Sequence, residues 1–344
     1  MTVVVVGSVN RDLVCEVERL PGPGETVLAR AVRANLGGKG SNQAVAAARA
    51  GGHVEFVARI GVDSEAERTM LREFGIGVEA VREVAGARTG TAYISVAGGE
   101  NQIVVDPGAN FCWEPRNELD ELPETDLLRS ATLVVAQCEI PIPTIRWAAH
   151  HAHRLLLNAA PSTVLPHEVL LRCDPLVVNE SELSALTATT VRTPEDAFEC
   201  AGRLCDDGVP AVVATLGAAG SIWTRRVIPE SGSRTRNFTN PQSTAGSPHG
   251  EVVGGYQPAP QVTAIDSTGA GDAFVGALAT ALAEGMDLPT GVAFATAAAA
   301  LAVGAPGTHA AYPDRSGVLA ALATLPAARP IERVSPMAAA ESCR

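Results

Sequence analysis

The chain has 344 residues, of which 46% are hydrophobic and only 4% aromatic, so it can bury one large α/β core or two smaller ones. Its 26 basic and 38 acidic side chains give a net charge of −12, which argues against a nucleic-acid or anionic-membrane partner. Any anionic ligand must therefore be held locally, by backbone amides, a metal ion or a few basic side chains.

The sequence carries no signal for secretion or for a membrane. Its seven cysteines are odd in number and scattered, with no CxxC pair, which is typical of reduced thiols. The apolar run near the start is too short and too uncharged for a signal peptide, and no unbroken run of about 18 apolar residues predicts a membrane span. We therefore expect a cytoplasmic protein.

The first predicted strand, at residues 3–6, is apolar throughout, which is typical of a strand buried on both faces of a parallel sheet. Asn10 and Asp12 follow it. Because ligands of open α/β sheets bind beyond the carboxyl ends of the strands, these two side chains are candidates for ligand binding. A simple Asx turn is the alternative interpretation.

Four further segments predict a small separate sheet. Residues 13–17 and 27–32 are short strands around a Pro-Gly turn. Residues 89–96 and 102–105 are alternating strands around a Gly-Gly pair, which indicates a hairpin. All four lie outside the main alternation of strands and helices.

A first glycine-rich segment, residues 37–43, leads into an Ala-rich helix at 44–50. It lacks the spacing of a phosphate-binding P-loop, but its glycines would let a ligand approach the backbone. Asn42 can bind hydroxyl groups, and Lys39 is either a phosphate-binding lysine or a turn residue. A flexible turn is the alternative for the whole segment.

The rest of the chain alternates strands and helices, which predicts a three-layer α/β/α fold with a mostly parallel central sheet. The predicted strands of this sheet are 3–6, 54–60, 132–137, 154–157, 176–178 and 211–215. The predicted helices between them are 64–74, 142–152, 165–171, 180–187 and 195–207. Residues 229–258 are polar and Gly/Pro-rich and predict a flexible insertion, and the tail at 326–344 is expected to be disordered.

A second glycine-rich segment, residues 266–272, lies between a predicted strand at 261–265 and a predicted buried helix at 273–282. Such a turn directs unpaired amides and the positive end of the helix dipole at an anion. Asp272 either only starts the helix or, facing a bound phosphate, accepts a proton from another group. The second role indicates phosphoryl transfer.

Three separated motifs stand in order along the chain: GSVNRD at 7–12 with PGET at 23–26, GGKGSNQA at 37–44 and DSTGAGDAF at 266–274. Weaker matches lie between them, at 108–110, 137–139, 158–161, 179–182 and 215–220. Together they resemble the PfkB-type carbohydrate kinases, and the ribokinase branch of that family in particular, over about residues 3–325. One glycine motif alone would be weak evidence, whereas the ordered set is specific.

The resemblance implies a single ribokinase-like kinase domain over residues 1–325. The small sheet, at about 13–32 and 89–105, would act as a lid that excludes water and would pair with another lid in a homodimer. The implied reaction is the ATP-dependent phosphorylation of the primary hydroxyl of D-ribose to D-ribose 5-phosphate. Asp272 would be the catalytic base, and an anion hole would be formed by the amides of Gly269, Ala270 and Gly271.

The resemblance also implies the binding residues. Positions matched to sugar binding are Asn10, Asp12, Gly38, Lys39, Asn42, Glu139 and Asp272. Positions matched to nucleotide binding are Asn179, Thr215, Gly217, Gly220, Gly271 and Thr296. Glu182 matches a residue that organises Mg²⁺ through water, and His309 either lines the nucleotide edge or only lies in a loop.

A monovalent cation site, expected for potassium, is implied next to the anion hole. Its matched positions are Asp266, Thr268, Ala302, Ala305 and Gly307. The last ligand position, commonly a Ser in the family, is Ala311 here, and its side chain carries no oxygen.

Three alternatives stay open from the sequence. The nearest is the same chemistry on deoxyribose, a nucleoside, fructose or a keto-sugar acid. The second is a non-catalytic sugar- or nucleotide-sensing protein, against which the intact Asp272 and glycine turn argue. The third is a dinucleotide-dependent oxidoreductase, which the lack of a G-x-G-x-x-G motif after the first strand disfavours.

Overall fold

The computed structural model describes residues 1–98, 100–227 and 251–331. The strands, in chain order, are β1 (Thr2–Val6), β2 (Asn10–Val17), β3 (Ala29–Gly37), β4 (His53–Ile60), β5 (Val81–Glu83), β6 (Gly90–Ala97), β7 (Glu100–Asp106), β8 (Leu133–Gln137), β9 (Leu155–Asn158), β10 (Cys173–Asn179), β11 (Ala211–Thr215), β12 (Gly220–Val227), β13 (Glu251–Pro258) and β14 (Arg329–Pro330).

The helices are α1 (Lys39–Arg49), α2 (Glu65–Glu73), α3 (Thr125–Ser130), α4 (Ile142–His151), α5 (His167–Leu170), α6 (Glu180–Thr187), α7 (Pro194–Asp206), α8 (Ala270–Ala283), α9 (Leu288–Ala302) and α10 (Arg315–Leu322). Within the described ranges, no helix combines the length and the apolar character that crossing a membrane requires.

The predicted central sheet is confirmed. Its strand order is β14-β13-β12-β11-β10-β9-β8-β1-β4-β5. The neighbours from β11 through β5 pair in parallel, whereas β12, β13 and β14 pair antiparallel at the other edge. Ligands of such sheets bind beyond the carboxyl ends of the parallel strands, so this edge is where a site is expected.

The uniform apolar run of β1 reflects its place in the middle of this sheet. Val3 and Val5 pack into one hydrophobic core with α1, α8 and α9, whereas Val4 and Val6 pack into a second core with α4 and α7. Successive side chains of a strand point to opposite faces, and helices cover both faces here. The sheet therefore lies between two helical layers.

The separate small sheet is also confirmed, with the order β3-β2-β6-β7. Two of its strands, β2 and β3, extend beyond the predicted bounds at the end near the start of α1. β2 begins at Asn10 and β3 ends at Gly37, and these two residues are paired across the strands. Asn10 and Asp12 therefore share one face of β2, close to the start of α1.

Two predictions near the antiparallel edge are wrong. Residues 261–265 form no strand: Val262 and Ile265 are exposed, and the amide of Ile265 bonds to the carbonyl of Val303 instead of a strand. Residues 251–258, assigned to the flexible insertion, form β13, which pairs with β12 along its whole length.

The sequence does not reveal β13 because its buried positions are Gly255 and Gln257, so the strand shows no alternation of apolar side chains. The rest of that segment, 228–250, lies outside the described residues, as does 332–344 of the predicted tail. Within the tail, Arg329–Pro330 forms β14.

Candidate active site

The candidate site lies where the carboxyl ends of β1 and β8 meet the first turns of α1 and α8. Ser8, just after β1, accepts hydrogen bonds from the start of α1: its Oγ from Gly40 N at 3.1 Å and its carbonyl from Ser41 N at 2.9 Å. A Cβ on Gly40 would lie 2.4 Å from Ser8 N, so only glycine permits this approach. The first glycine-rich segment is thus a packed helix start and not a flexible turn.

Asp272 is buried in the first turn of α8, and both of its carboxylate oxygens are bonded to side chains of α1. Oδ1 accepts from Gln43 Nε2 at 2.9 Å, and Oδ2 accepts from Asn42 Nδ2 at 3.0 Å. Burial raises the pKa of Asp272, while Lys39 and the two hydrogen bonds oppose that rise. A buried carboxylate held this rigidly can act as a proton acceptor.

Gln43 is a site residue that sequence reasoning missed, although it stands next to Asn42 in the motif. Its Nε2 also donates to Asn158 Oδ1 at 3.0 Å, and its Oε1 accepts from Gln137 Nε2 at 2.9 Å. These contacts fix which way the Gln43 amide points. The ends of β8 and β9 therefore help to orient Asp272 through Gln43.

Glu139 joins the end of β8 to the start of α1. Its Oε2 accepts from Ser8 Oγ at 2.6 Å and from the backbone amide of Lys39 at 2.9 Å. A carboxylate at the start of a helix is stabilised by the positive end of the helix dipole. Glu139 and Lys39, both predicted to bind the sugar, are therefore joined by a hydrogen bond from the Lys39 backbone amide.

Asn10 and Asp12 lie in the same neighbourhood. Asn10 Oδ1 accepts from Asn110 Nδ2 at 2.7 Å, and Asn110 Oδ1 accepts from Val9 N at 2.9 Å. Asn110 lies in a weak motif match and was given no role from the sequence. Burial, followed by repulsion from Glu139 and Asp272, raises the pKa of Asp12 to about 6.

A cavity of about 130 Å³ opens beside Asp272. Other predicted site residues on its wall are Lys39, Asn179, Glu182, Thr215, Gly269 and Gly271. Burial would lower the pKa of Lys39, but Asp272, Glu139 and Glu182 outweigh it, so the pKa is raised. The lysine is therefore a fixed positive charge in a pocket lined with carboxylates.

Asn179 and Glu182 form a capping box at the start of α6. Asn179 Oδ1 accepts from Glu182 N at 2.9 Å, and Glu182 Oε2 accepts from Asn179 N at 2.8 Å. Burial raises the pKa of Glu182. Among residues 1–98, 100–227 and 251–331, no three His, Cys, Asp or Glu side chains are grouped to hold a metal. These residues fit Mg²⁺ only if the ion keeps most of its waters and Glu182 holds it through one of them.

A second cavity, of about 380 Å³, lies on the other side of the first turn of α8. Five of the predicted nucleotide positions line it: Thr215, Gly217, Gly220, Gly271 and Thr296. Much of the remaining wall is apolar, including Val262, Phe274 and Val303, which suits the flat face of a base. Thr215 and Gly271 line both cavities, so the two spaces meet at the glycine turn.

The amides of the glycine turn are not equivalent. Ala270 N donates to the carbonyl of Ser267 at 3.2 Å, and Gly269 is the left-handed residue (φ 75°) that precedes the helix. The backbone amide of Ala270 therefore already makes a hydrogen bond within the turn. Gly271, in the first turn of α8, lies where helix amides have no partner within the helix.

The two predicted halves of the cation site are brought together. Asp266 Oδ1 accepts from Thr268 N and its Oδ2 from Gly307 N, both at 2.9 Å. Burial would raise the pKa of Asp266, but these bonds outweigh it and the pKa is lowered. An ionised carboxylate on this loop fits a cation, whereas the buried Ala311 offers no side-chain ligand. Ala302 ends α9, and Ala305 lies between it and Gly307.

His309 lies beside Asn42, a predicted sugar-binding residue, and not among the predicted nucleotide-binding residues. Its Nε2 lies 2.8 Å from Asn42 Oδ1, and it is absent from the wall of the larger cavity. The sequence alone left its position open, because no local pattern links residues 42 and 309.

Comparison with known proteins gives consistent similarities. The pfkB family of carbohydrate kinases matches residues 1–315. A ribokinase of Haemophilus influenzae is 34% identical over 330 residues, which cover 92% of this chain and 97% of the relative. A deoxyribokinase of Salmonella typhi is 32% identical over 322 residues, which cover 91% and 96%. The solved structure of Arabidopsis thaliana ribokinase complexed with ribose and ATP aligns with a TM-score of 0.78 at 32% identity, covering 93% of this chain and 98% of that one.

Proposed function

The chain belongs to the PfkB family of carbohydrate kinases, and we propose that it transfers the γ-phosphoryl group of ATP to the primary hydroxyl of D-ribose, giving D-ribose 5-phosphate. Family membership makes the chain a ribokinase-like kinase, so the non-catalytic and oxidoreductase alternatives are dropped. The observation that carries the proposal is the position of Asp272, buried on the wall of the polar cavity and next in the chain to Gly271, which lines both that cavity and the apolar one.

The residues around the start of α1, where Lys39 lines the polar cavity, have the donors and acceptors that a sugar requires. Asn10, Asp12 and Asn42 would bind its hydroxyl groups. Gly38 and Glu139, which adjoin Lys39, would complete the pocket. Asp272 would take the proton of the attacking hydroxyl as the phosphoryl group moves across the glycine turn. The amides of Gly269 to Gly271 and the α8 dipole would stabilise the charge that grows there.

The apolar cavity would hold the nucleotide, with Thr296 beside the base and Gly217 and Gly220 along the turn after β11. Mg²⁺, when bound, would neutralise negative charge on the phosphate groups. Glu182 would orient that ion through water, with Asn179 fixing the carboxylate. Asp266 and the carbonyls near Gly307 would hold a potassium ion, although Ala311 leaves that site one side-chain ligand short.

The small sheet would close over the sugar as a lid and exclude water, which otherwise competes for the phosphoryl group. One face of this sheet leaves large side chains open to solvent: Val32, Tyr93 and Val104 are each more than half exposed, and the strand register places them on the same face. Covering such a face by the lid of a second copy would form a homodimer.

A panel of sugars tests the proposed substrate. Purified protein with ATP and Mg²⁺ is expected to turn over D-ribose faster than 2-deoxy-D-ribose, fructose, a keto-sugar acid or a nucleoside, measured as ADP release and as phosphorylated product. 2-Deoxy-D-ribose is the most important comparison, because a deoxyribokinase is nearly as similar to this chain as a ribokinase is. If a competitor were turned over faster than D-ribose, that competitor would be assigned as the substrate in place of ribose. ADP release without a phosphorylated sugar would refute sugar phosphorylation.

Sugar binding is expected to strengthen as the pH rises through about 6, the raised pKa of Asp12. Above that pH the ionised carboxylate accepts hydrogen bonds from sugar hydroxyls, whereas below it the protonated acid has lost acceptor capacity. Below pH 6, the affinity for the sugar should therefore fall by up to about tenfold for each unit by which the pH is lowered. Calorimetric titration of the protein with D-ribose at several pH values, without nucleotide, measures this affinity.

Asp12→Asn is the control for this pH dependence. The amide does not titrate, so this variant should bind ribose more weakly and lose the dependence centred on pH 6. An affinity of the wild-type protein that is equal on both sides of that pH would contradict the role given to Asp12.

A further inference from the structure

We propose that His309 is a positioning residue for the reaction: it holds the side-chain amide of Asn42 in the orientation that presents Nδ2 to Asp272. The inference rests on the function proposed above. His309 Nε2 lies 2.8 Å from Asn42 Oδ1, and Asn42 Nδ2 lies 3.0 Å from Asp272 Oδ2, so the three side chains form one continuous chain of hydrogen bonds.

The chemistry of the three groups fixes the direction of these bonds. An ionised carboxylate only accepts, so Asn42 must turn its NH₂ group toward Asp272. Its carbonyl oxygen then faces His309 and requires a donor, which is the N–H at Nε2. A flipped Asn42 would set oxygen against the carboxylate and NH₂ against that N–H, and both contacts would be repulsive.

The imidazole is held in place to act as this donor. Its ring packs between Phe74 and Tyr312, with ring centroids 5.7 and 5.8 Å away. Burial lowers the pKa of His309 to about 4, so the ring is neutral at physiological pH and carries one proton. The bond to Asn42 assigns that proton to Nε2.

The consequence for catalysis follows from the bonds at Asp272. Its two oxygens accept one side-chain donor each, from Gln43 and from Asn42. The Gln43 amide is fixed by Gln137 and Asn158. Within the described part of the chain, the Asn42 amide is held, apart from Asp272 itself, by the hydrogen bond to His309. Without His309, Asn42 could rotate, and the carboxylate would lose one of the two donors that hold it.

Leucine and glutamine substitutions separate a positioning role from simple packing. His309→Leu keeps an apolar side chain beside Phe74 but cannot donate, and kcat should fall on the order of tenfold with KM for ATP unchanged. His309→Gln places an amide N–H near the position of Nε2 and should restore most of that loss. His150→Leu, at an exposed position on α4, is the matched control and should leave kcat unchanged.

A double-mutant cycle tests whether His309 acts through Asn42. If it does, adding His309→Leu to Asn42→Ala should slow the enzyme no further than Asn42→Ala alone. If His309→Leu slows both backgrounds by the same factor, the proposal is overturned. Equal loss in the Leu and Gln variants would also overturn it.

A measurement without turnover keeps the proposal testable if the Leu variant folds poorly. Side-chain ¹⁵N spectra of the wild-type protein at neutral pH should show His309 protonated at Nε2 and not at Nδ1. A proton at Nδ1 in an active enzyme overturns the role of His309 alone. Wild-type protein that phosphorylates none of the sugars overturns the proposed function, and this role with it.

Discussion

Replacing Asp272 with Asn is expected to lower kcat for sugar phosphorylation by about 10²- to 10⁴-fold, the range for loss of a general base. Asparagine has nearly the same volume as aspartate, but its amide cannot take a proton from the sugar hydroxyl. Nucleotide affinity should be retained or increased, because a carboxylate beside the phosphates repels them. Steady-state kinetics with D-ribose, together with calorimetric titration of a nucleotide analogue, separates the two effects.

The local contacts explain why sugar affinity must be measured in the same variant. Asn42 Nδ2 and Gln43 Nε2 both donate to Asp272, so the NH₂ group of an Asn would face one of these donors. Binding of the sugar is therefore expected to weaken modestly, while kcat carries the large effect. A kcat within tenfold of the wild-type value would show that another group accepts the proton.

Asp287→Asn is the matched control for the Asp272 variant. Asp287 is exposed and caps the start of α9, where its Oδ1 accepts from Thr290 N at 2.9 Å. Asparagine caps a helix as well as aspartate does, so this variant should keep its stability and its kcat. The same change of residue type is thus compared at the proposed catalytic position and at a structural one.

Much of the fold was predictable because its signals are local. The apolar run of β1 predicts a strand covered on both faces, and Val3 and Val4 do pack into different cores. The errors lie where a strand gains its stability from pairing and not from its own side chains. β13 buries Gly255 and Gln257, which no hydrophobic pattern reveals. Residues 261–265 alternate like a strand, but Val262 lines the large cavity.

The site was predictable only through the ordered motifs, since its contacts join distant parts of the chain. Motifs near residues 10, 42 and 272 identified candidate residues but gave no distances between them. The contact between Gln43 and Asp272 spans 229 residues, and that between His309 and Asn42 spans 267. Such partners are brought together by the packing of α1 against α8, and no local spacing encodes it. For that reason Gln43 and Asn110 received no role from the sequence.

Two alanine substitutions in the glycine turn are expected to impair the enzyme in different ways. Gly269 has a φ of 75°, and a Cβ there would lie 2.7 Å from Tyr312 Oη and 2.9 Å from Thr308 Cγ2. Gly269→Ala should therefore lower the free energy of unfolding by about 1–3 kcal/mol as well as reduce activity. Urea denaturation and steady-state kinetics measure the two losses separately.

Gly271→Ala should give the opposite result for stability. Gly271 lies in the first turn of α8, and a Cβ there would meet no atom of the described residues within 4 Å beyond its chain neighbours and its own helix backbone. Alanine favours a helix over glycine by roughly 0.5–1 kcal/mol, so the variant should be as stable as the wild type or more so. Its methyl group would project beside the junction of the two cavities, where the phosphoryl group would pass in the proposed reaction.

A displacement of about 1 Å at a reacting group can reduce the rate about 10²-fold, and we expect a loss of kcat/KM of that order for Gly271→Ala. Gly285→Ala supplies the control for backbone strain alone, since Gly285 has a φ of 87° at the far end of α8 and open space around it. That variant should lose about 1 kcal/mol of stability and no activity. If Gly271→Ala were as active as the wild type, the phosphoryl group would not pass this residue. Loss of activity without loss of stability would instead separate the anion-binding role of the turn from its structural one.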